Sequence, residues 1–183
     1  MTMKIKKTEF PEISILSPGR KDFDYIDSFK GYFSDRNRNI EISEIGKAFF
    51  SSGTKWGSKM FAIRNKLVRL FGLKTGSETG MQTGKDFKCE VGERVGIFEI
   101  FAKTGNEIVL GENDKHLDFR VSLLVDKSKE NPEENSLTIS TTVIYHNWLG
   151  LLYFIPVRPF HKLIVPAMLK NMISNLESKK QSF

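Results

Sequence analysis

The stretch from Glu107 to Arg120, EIVLGENDKHLDFR, constrains the fold more than any other part of the chain. It reads as a strand, a polar turn over Glu112-Asn113-Asp114-Lys115, and a second strand. Residues two apart on a strand share a face. The second strand therefore sets His116, Asp118 and Arg120 on one side and Leu117, Phe119, Val121 and Leu123 on the other. The apolar set is the natural core side, and the polar set is either a charged ladder facing solvent or the start of a site.

A period of two runs through this whole part of the chain. Gly96 to Lys103, Glu107 to Gly111, His116 to Lys127 and Leu137 to Asn147 are four consecutive strands by pattern. Thr104-Gly105-Asn106 is a hairpin turn, and Ser128 to Asn135 (SKENPEEN) is a charged loop around Pro132. Short connections between successive strands predict an antiparallel meander. Upstream, Asp24 to Phe33 reads as a first strand with imperfect alternation, preceded by an extended arm over residues 1–20. Ser43 to Phe50 is a short helix with Ser43 as its N-cap, and Trp56 to Phe71 a second, ended by Gly72. Lys74 to Lys88, with Gly76, Gly80 and Gly84, is expected to be a mobile loop.

A long helix closes the chain, mainly helical over His161 to Leu176. Its expected apolar stripe is Phe160, Leu163, Ile164, Ala167, Met168 and Met172. Pro156 and Pro159 predict an irregular start, and Pro166 a kink or a split. No repeat or second domain boundary shows, so residues 1–183 read as one α+β domain.

Composition excludes several classes. At 39% hydrophobic and 27% charged, the chain fits a soluble globular protein and not a disordered one. A single cysteine, Cys89, excludes an internal disulfide and a cysteine-built zinc site, and a reducing cytoplasm is the expected compartment. No signal peptide is evident. The longest apolar run, Leu149 to Val157, is too short to span a bilayer and reads as a buried segment or a pocket wall. The net charge of +6 permits an anionic partner. The basic residues are scattered, however, and the aromatics are core-spaced, so nucleic acid is not expected.

Arg64-Asn65 with the following LVRLFGLK, then LGENDKHLDFR, TTVIYHNWLGLLYF and PFHKLIVPAML, occur in an order that resembles the helix-grip fold of the START-like (SRPBCC) superfamily. That superfamily includes birch-pollen allergens, lipid-transfer domains and polyketide cyclases. More narrowly, the chain looks like a bacterial domain-of-unknown-function family within it, from about Tyr25 to the end of the last helix. The resemblance implies a curved antiparallel sheet wrapped around a long C-terminal helix, with two short helices near the N-terminus and a cavity between sheet and helix. It transfers no catalytic residue.

Three groups of residues are site candidates. Met60, Phe119, Tyr145, Tyr153, Phe160 and Met168, with Met172, are expected to line a pliable cavity or simply to fill the core. Arg64 interrupts the second helix's apolar stripe and either points inward, toward Glu99 or Asp118, or lies along the surface. His116, Asp118 and Arg120 form the polar cluster, with Arg120 as a fork donor for an anionic or carbonyl group. His146 and His161 could approach His116, but no HxH or HxxxH spacing exists and no metal is expected. There is no phosphate loop, dinucleotide fingerprint or nucleophile elbow, and no cofactor is expected.

The expected function is binding of a small hydrophobic or amphipathic molecule between sheet and C-terminal helix. One alternative is a cyclase- or isomerase-like enzyme moving protons on a bound carbonyl compound, using His116, Asp118, Arg64 and Tyr145. Another is a protein-interaction module using the basic surface or the Lys74 to Lys88 loop.

Overall fold

A computed structural model describes residues 4–35, 40–52, 87–128 and 135–179. The second helix, with Met60 and Arg64, and all but the last two residues of the Lys74 to Lys88 loop lie outside these, as do residues 129–134.

The strands are β1 (Lys6–Lys7), β2 (Tyr25–Phe33), β3 (Arg94–Val95), β4 (Phe98–Lys103), β5 (Glu107–Asn113), β6 (Leu117–Asp126) and β7 (Asn135–Tyr145). The helices are α1 (Ile42–Ser52) and α2 (Trp148–Lys179), and a 3-10 turn covers Ser17–Asp22. All seven strands join one sheet in the order β1-β2-β7-β6-β5-β4-β3. Every pairing is antiparallel. β4 to β7 are the expected meander, and β2 returns to the far side of β7. With α2 packed on one face, the architecture is α+β and helix-grip-like.

Register sorts the side chains. Phe119 lies opposite Val143, and Val143 opposite Tyr25. The inner face therefore carries Tyr25, Asp27, Phe29 and Phe33 from β2, Leu117, Phe119, Val121 and Leu123 from β6, and Ile139, Thr141 and Val143 from β7. Leu117, Val121 and Leu123 are buried, which is the face the alternation assigns to them. They meet α2 in two groups. Val121 and Leu123 join the main core with Val165, Met168, Leu169, Met172 and Ile173 of α2 and Ile45 and Phe49 of α1. Leu117 joins Tyr25, Val143 and Phe154 in a smaller cluster at the other end of the sheet. Phe119 packs against both, with its ring edge-on to Phe98 at 5.7 Å.

Helix α2 departs from expectation in two ways. It begins at Trp148 and runs unbroken through Pro156, Pro159 and Pro166, so Leu149 to Val157 is its first part and not an irregular lead-in. Asn147 makes this start possible. Its Oδ1 accepts from the amides of Leu149 (3.1 Å) and Gly150 (3.2 Å), two donors that a helix leaves unpaired at its N-terminus. Gly150 itself stands against the carbonyl of His116, where a side chain would collide with backbone. The second departure is rotational. Phe160 is 48% and Leu163 72% exposed, while His161, Ile164 and Val165 are buried. The apolar residues surround this part of the helix, so spacing alone selects no face.

The outer face of the sheet is also covered. Ser28, Ser122, Ser140 and Thr142 lie on it by register and are buried. The segment after β1 crosses it. Phe10 is buried and rests edge-on to Phe23, and Ser14 and Ile15 bond Glu107 of β5. This cover explains why β2 and β7 lack clean alternation: a strand buried on both sides has no polar face to display.

Cys89 is fully buried beside α1, where Gly46 leaves room for its sulfur. Burial pushes the thiol up to about 11. The unfolded thiol ionises near ~8.5. Above that pH the unfolded chain gives up a proton that the folded chain keeps, so this group's contribution to stability falls as pH rises from about 8.5 to about 11. Native protein at pH 8 is expected to resist a thiol-specific reagent and to react fully once unfolded. Fast labelling of the native state would show the thiol to be accessible. Cys89→Ser is expected to flatten the alkaline decline in denaturation midpoint.

Candidate functional site

The smaller inner cluster contains a chain of polar groups. β2 places Tyr25 and Asp27 two residues apart on the inner face, and the Tyr25 hydroxyl donates to Asp27 Oδ2 at 2.7 Å. His161 comes down from α2, and its Nδ1 lies 3.1 Å from the same oxygen. The other ring nitrogen, Nε2, lies 3.1 Å from Thr141 Oγ1 on β7. With Nδ1–H donating to Asp27, a neutral imidazole has Nε2 free to accept the threonine hydroxyl hydrogen. Asp27, Thr141 and His161 are all buried.

Asp27 Oδ1 is buried and has no hydrogen-bond partner among the described residues. Buried carboxyl oxygens are rarely left so, because an unpaired polar atom away from water costs ~1–3 kcal/mol. Tyr25, which donates to the other oxygen of this carboxyl group, belongs to an aromatic cluster. Phe154 meets the Tyr25 ring edge-on at 4.9 Å, and Tyr145, Tyr153 and Val157 pack alongside. The Arg158 guanidinium sits over the Tyr25 ring, 4.7 Å from its centre. Burial, reinforced by the bond to Asp27, pushes the Tyr25 hydroxyl well above its usual range, so Tyr25 stays a donor. Burial also raises Tyr145.

The expected candidates divide among several places. Phe119, Tyr145 and Tyr153 pack against the smaller cluster that contains Tyr25. Met168 belongs to the main core, and Phe160 points away from the sheet, which removes it from any wall facing the polar chain. The position assigned to Phe160 follows from the rotation of α2 and corrects the expected stripe. Asp118 and Arg120 lie on the outer face with Ser122. Arg120 stacks on Phe101 at 3.7 Å and donates to the carbonyls of Phe119 and Glu112 and to Asn113. Burial lowers its pKa, yet its donors are engaged by the protein itself, which makes it a brace across the hairpin. A β-bulge between Ile100 and Ala102 accompanies the stacked Phe101.

His116 and Asp118 work at the hairpin tip. Asp118 Oδ1 accepts from the amide of Asp114 and lies 3.0 Å from His146 Nε2. His116 Nδ1 lies 3.2 Å from Asn147 Oδ1, the cap of α2, and its carbonyl accepts from the His146 amide. These contacts seat the start of α2 on the sheet. They do not converge with the inner polar chain, so a proton-moving site built from His116 and Asp118 fails. His161 likewise belongs with Asp27 and not with the other two histidines.

Asp27 and Thr141 are the residues that the pattern does not single out, and it considers His161 only in company with His116 and His146. One signal was present. In Tyr25, Asp27, Phe29 and Phe33 a carboxyl group occupies an otherwise aromatic face of a strand, a position where an acid needs a partner.

A family model matches residues 20–168, and its description is "Protein of unknown function (DUF2867)". No curated protein and no solved structure matches the chain.

Proposed function

We propose that this chain, which belongs to the DUF2867 family, binds a small amphipathic molecule at the seam between the sheet and helix α2, in the manner of a START-like carrier. The observation that supports this reading is Asp27 Oδ1, a buried acceptor without a partner among the described residues, on a carboxyl group bonded to Tyr25 of the cluster that Phe154, Tyr145 and Tyr153 build. A ligand hydroxyl or amine would satisfy that oxygen, and its apolar part would lie along the aromatic rings. Apolar walls with a few placed polar groups are the usual composition of small-molecule sites.

Native mass spectrometry of the purified protein tests this. The expected result is a retained small molecule that Asp27→Asn or His161→Ala releases, while Lys162→Gln on the outer face of α2 keeps it. Protein that carries only water at Asp27, and takes up no molecule from a lipid extract, would sink the proposal.

A second reading rests on one specific feature. Thr141, His161 and Asp27 stand in the order hydroxyl, imidazole, carboxyl, with His161 bonded through each ring nitrogen. That is the arrangement by which a carboxyl group orients a histidine to take a proton. Under this reading the bound molecule is a carbonyl compound, and a retained ligand whose mass or isomeric form changes with time in the native protein, but not in His161→Ala, separates enzyme from carrier.

A further inference from the structure

The first half of α2 is apolar on the side that faces away from the sheet. Trp148, Leu151, Leu152, Ile155, Phe160 and Leu163 all stand exposed, with Trp148 at 69%. Trp148, Leu152, Ile155 and Leu163 follow helical spacing along one side, a stripe of roughly 20 Å at about 1.5 Å per residue. Scattered exposed apolar residues need no explanation, but a continuous stripe on one helix face does.

Charge selects among possible occupants. From Trp148 to Leu176 the helix contains no acidic residue, whereas Arg158, Lys162 and Lys170 are cationic. Lys162 is exposed beside the stripe and Lys170 is exposed just beyond it, while Arg158 turns its guanidinium over Tyr25. The chain as a whole carries +6, so a second copy would bring like charge to like charge. An anionic bilayer surface meets both requirements, accepting the apolar side chains below the headgroups and the cations among them. No helix among the described residues is long and apolar enough to cross a membrane, so the contact would be peripheral.

We propose that the outward face of α2, from Trp148 to Leu163, docks the protein onto anionic lipid surfaces. It stands independently of ligand binding at the seam, because it uses the opposite side of the helix.

The test is co-sedimentation of the full chain with phosphatidylcholine vesicles, with and without phosphatidylglycerol. Binding is expected to be at least tenfold tighter when phosphatidylglycerol is present, and to weaken with added salt. Leu163→Gln is neutral and sits at an exposed position. Removing one inserted leucine is expected to weaken binding roughly tenfold to a hundredfold. Lys162→Gln should weaken it about fivefold. Unchanged thermal midpoints would confirm that both variants fold. Light scattering without vesicles should show a monomer. Absence of vesicle binding, equal binding to neutral vesicles, or binding indifferent to Leu163→Gln would each overturn the proposal. A dimer that Leu163→Gln dissociates would overturn it in favour of a second copy as the occupant.

Discussion

Asp27→Ala is expected to destabilise the fold by about 2–4 kcal/mol. Two donors converge on Asp27 Oδ2, the Tyr25 hydroxyl and His161 Nδ1, and each is buried. Losing the acceptor strands both, at ~1–3 kcal/mol apiece. One term opposes this. Asp27 Oδ1 is already without a partner among the described residues, and removing it returns a penalty of the same ~1–3 kcal/mol. Two stranded donors outweigh one relieved acceptor, and the cavity left by the carboxyl group adds to the loss. At ~2–4 °C per kcal/mol for a chain of this size, the melting temperature should fall by roughly 5–15 °C. Asp27→Asn should fall between, since its amide oxygen retains one acceptor. His161→Ala should resemble Asp27→Ala, because it frees both Asp27 and Thr141. The double variant Asp27→Ala/His161→Ala should cost clearly less than the sum of the singles, as groups in one network do not add. A melting temperature unchanged in Asp27→Ala would mean that the polar chain contributes nothing to the native state, and it would remove the reason for placing a ligand there.

The strand pattern transmitted most of the architecture. Period two across Gly96 to Asn147 yields β4 to β7 in order, because each of these strands has at least one face that must be apolar. Alternation also assigns Leu117, Val121 and Leu123 to the inner face correctly. Helix α2 defeated the same kind of reasoning. Its N-terminal half carries apolar residues on every side, so Phe160 and Leu163 satisfy a helical stripe as well as Ile164 and Val165 do. Only contact with β2 and β7 decides that His161 turns inward. Pro156 and Pro159 misled in a related way, and Pro166 does not split the helix. Pro156, Pro159 and Pro166 lower helix propensity locally, and packing against the sheet overrides them.

The polar seam was hidden for a different reason. Asp27, Thr141 and His161 come from β2, β7 and α2, and no spacing in sequence links residues whose proximity is created by the sheet. His116, Asp118 and Arg120 drew attention because they alternate on one strand, but alternation reports only a shared face. Arg120 finds Phe101 and the hairpin carbonyls, and Asp118 finds His146 at the strand end. Proximity in sequence thus marked a structural brace, and the buried acid that needed a partner lay elsewhere.

Glu107→Ala is expected to cost about 3–5 kcal/mol and to loosen the N-terminal arm. Glu107 is 1% exposed on the outer face of β5. Its Oε1 accepts from Ser14 Oγ at 2.6 Å and Ser122 Oγ at 2.5 Å, and its Oε2 from the Ile15 amide at 2.8 Å. The carboxyl group thus acts only as an acceptor for three donors, two of which belong to the arm. When it is removed, Ser14 and Ile15 can recover hydrogen bonds from water if the arm lifts, but Ser122 stays beneath it on the sheet. Lifting the arm in turn exposes Phe10 and the buried hydroxyls of Ser28 and Ser140. Stability and arm docking should therefore fall together. Limited proteolysis should cut the variant within residues 10–22 faster than the parent chain, in step with the loss of denaturation midpoint. Glu107→Gln tests the chemistry more narrowly. Its amide oxygen can still accept from the Ile15 amide, and its NH2 group can donate to the Ser14 and Ser122 hydroxyls once these rotate their own hydrogens away, so it should lose only about 0.5–1.5 kcal/mol, well short of Glu107→Ala. Ser14→Ala combined with Glu107→Ala should add little to Glu107→Ala alone, because the shared bond is already gone. Full additivity, with no change in proteolysis of the arm, would show that Glu107 does not hold the arm to the sheet.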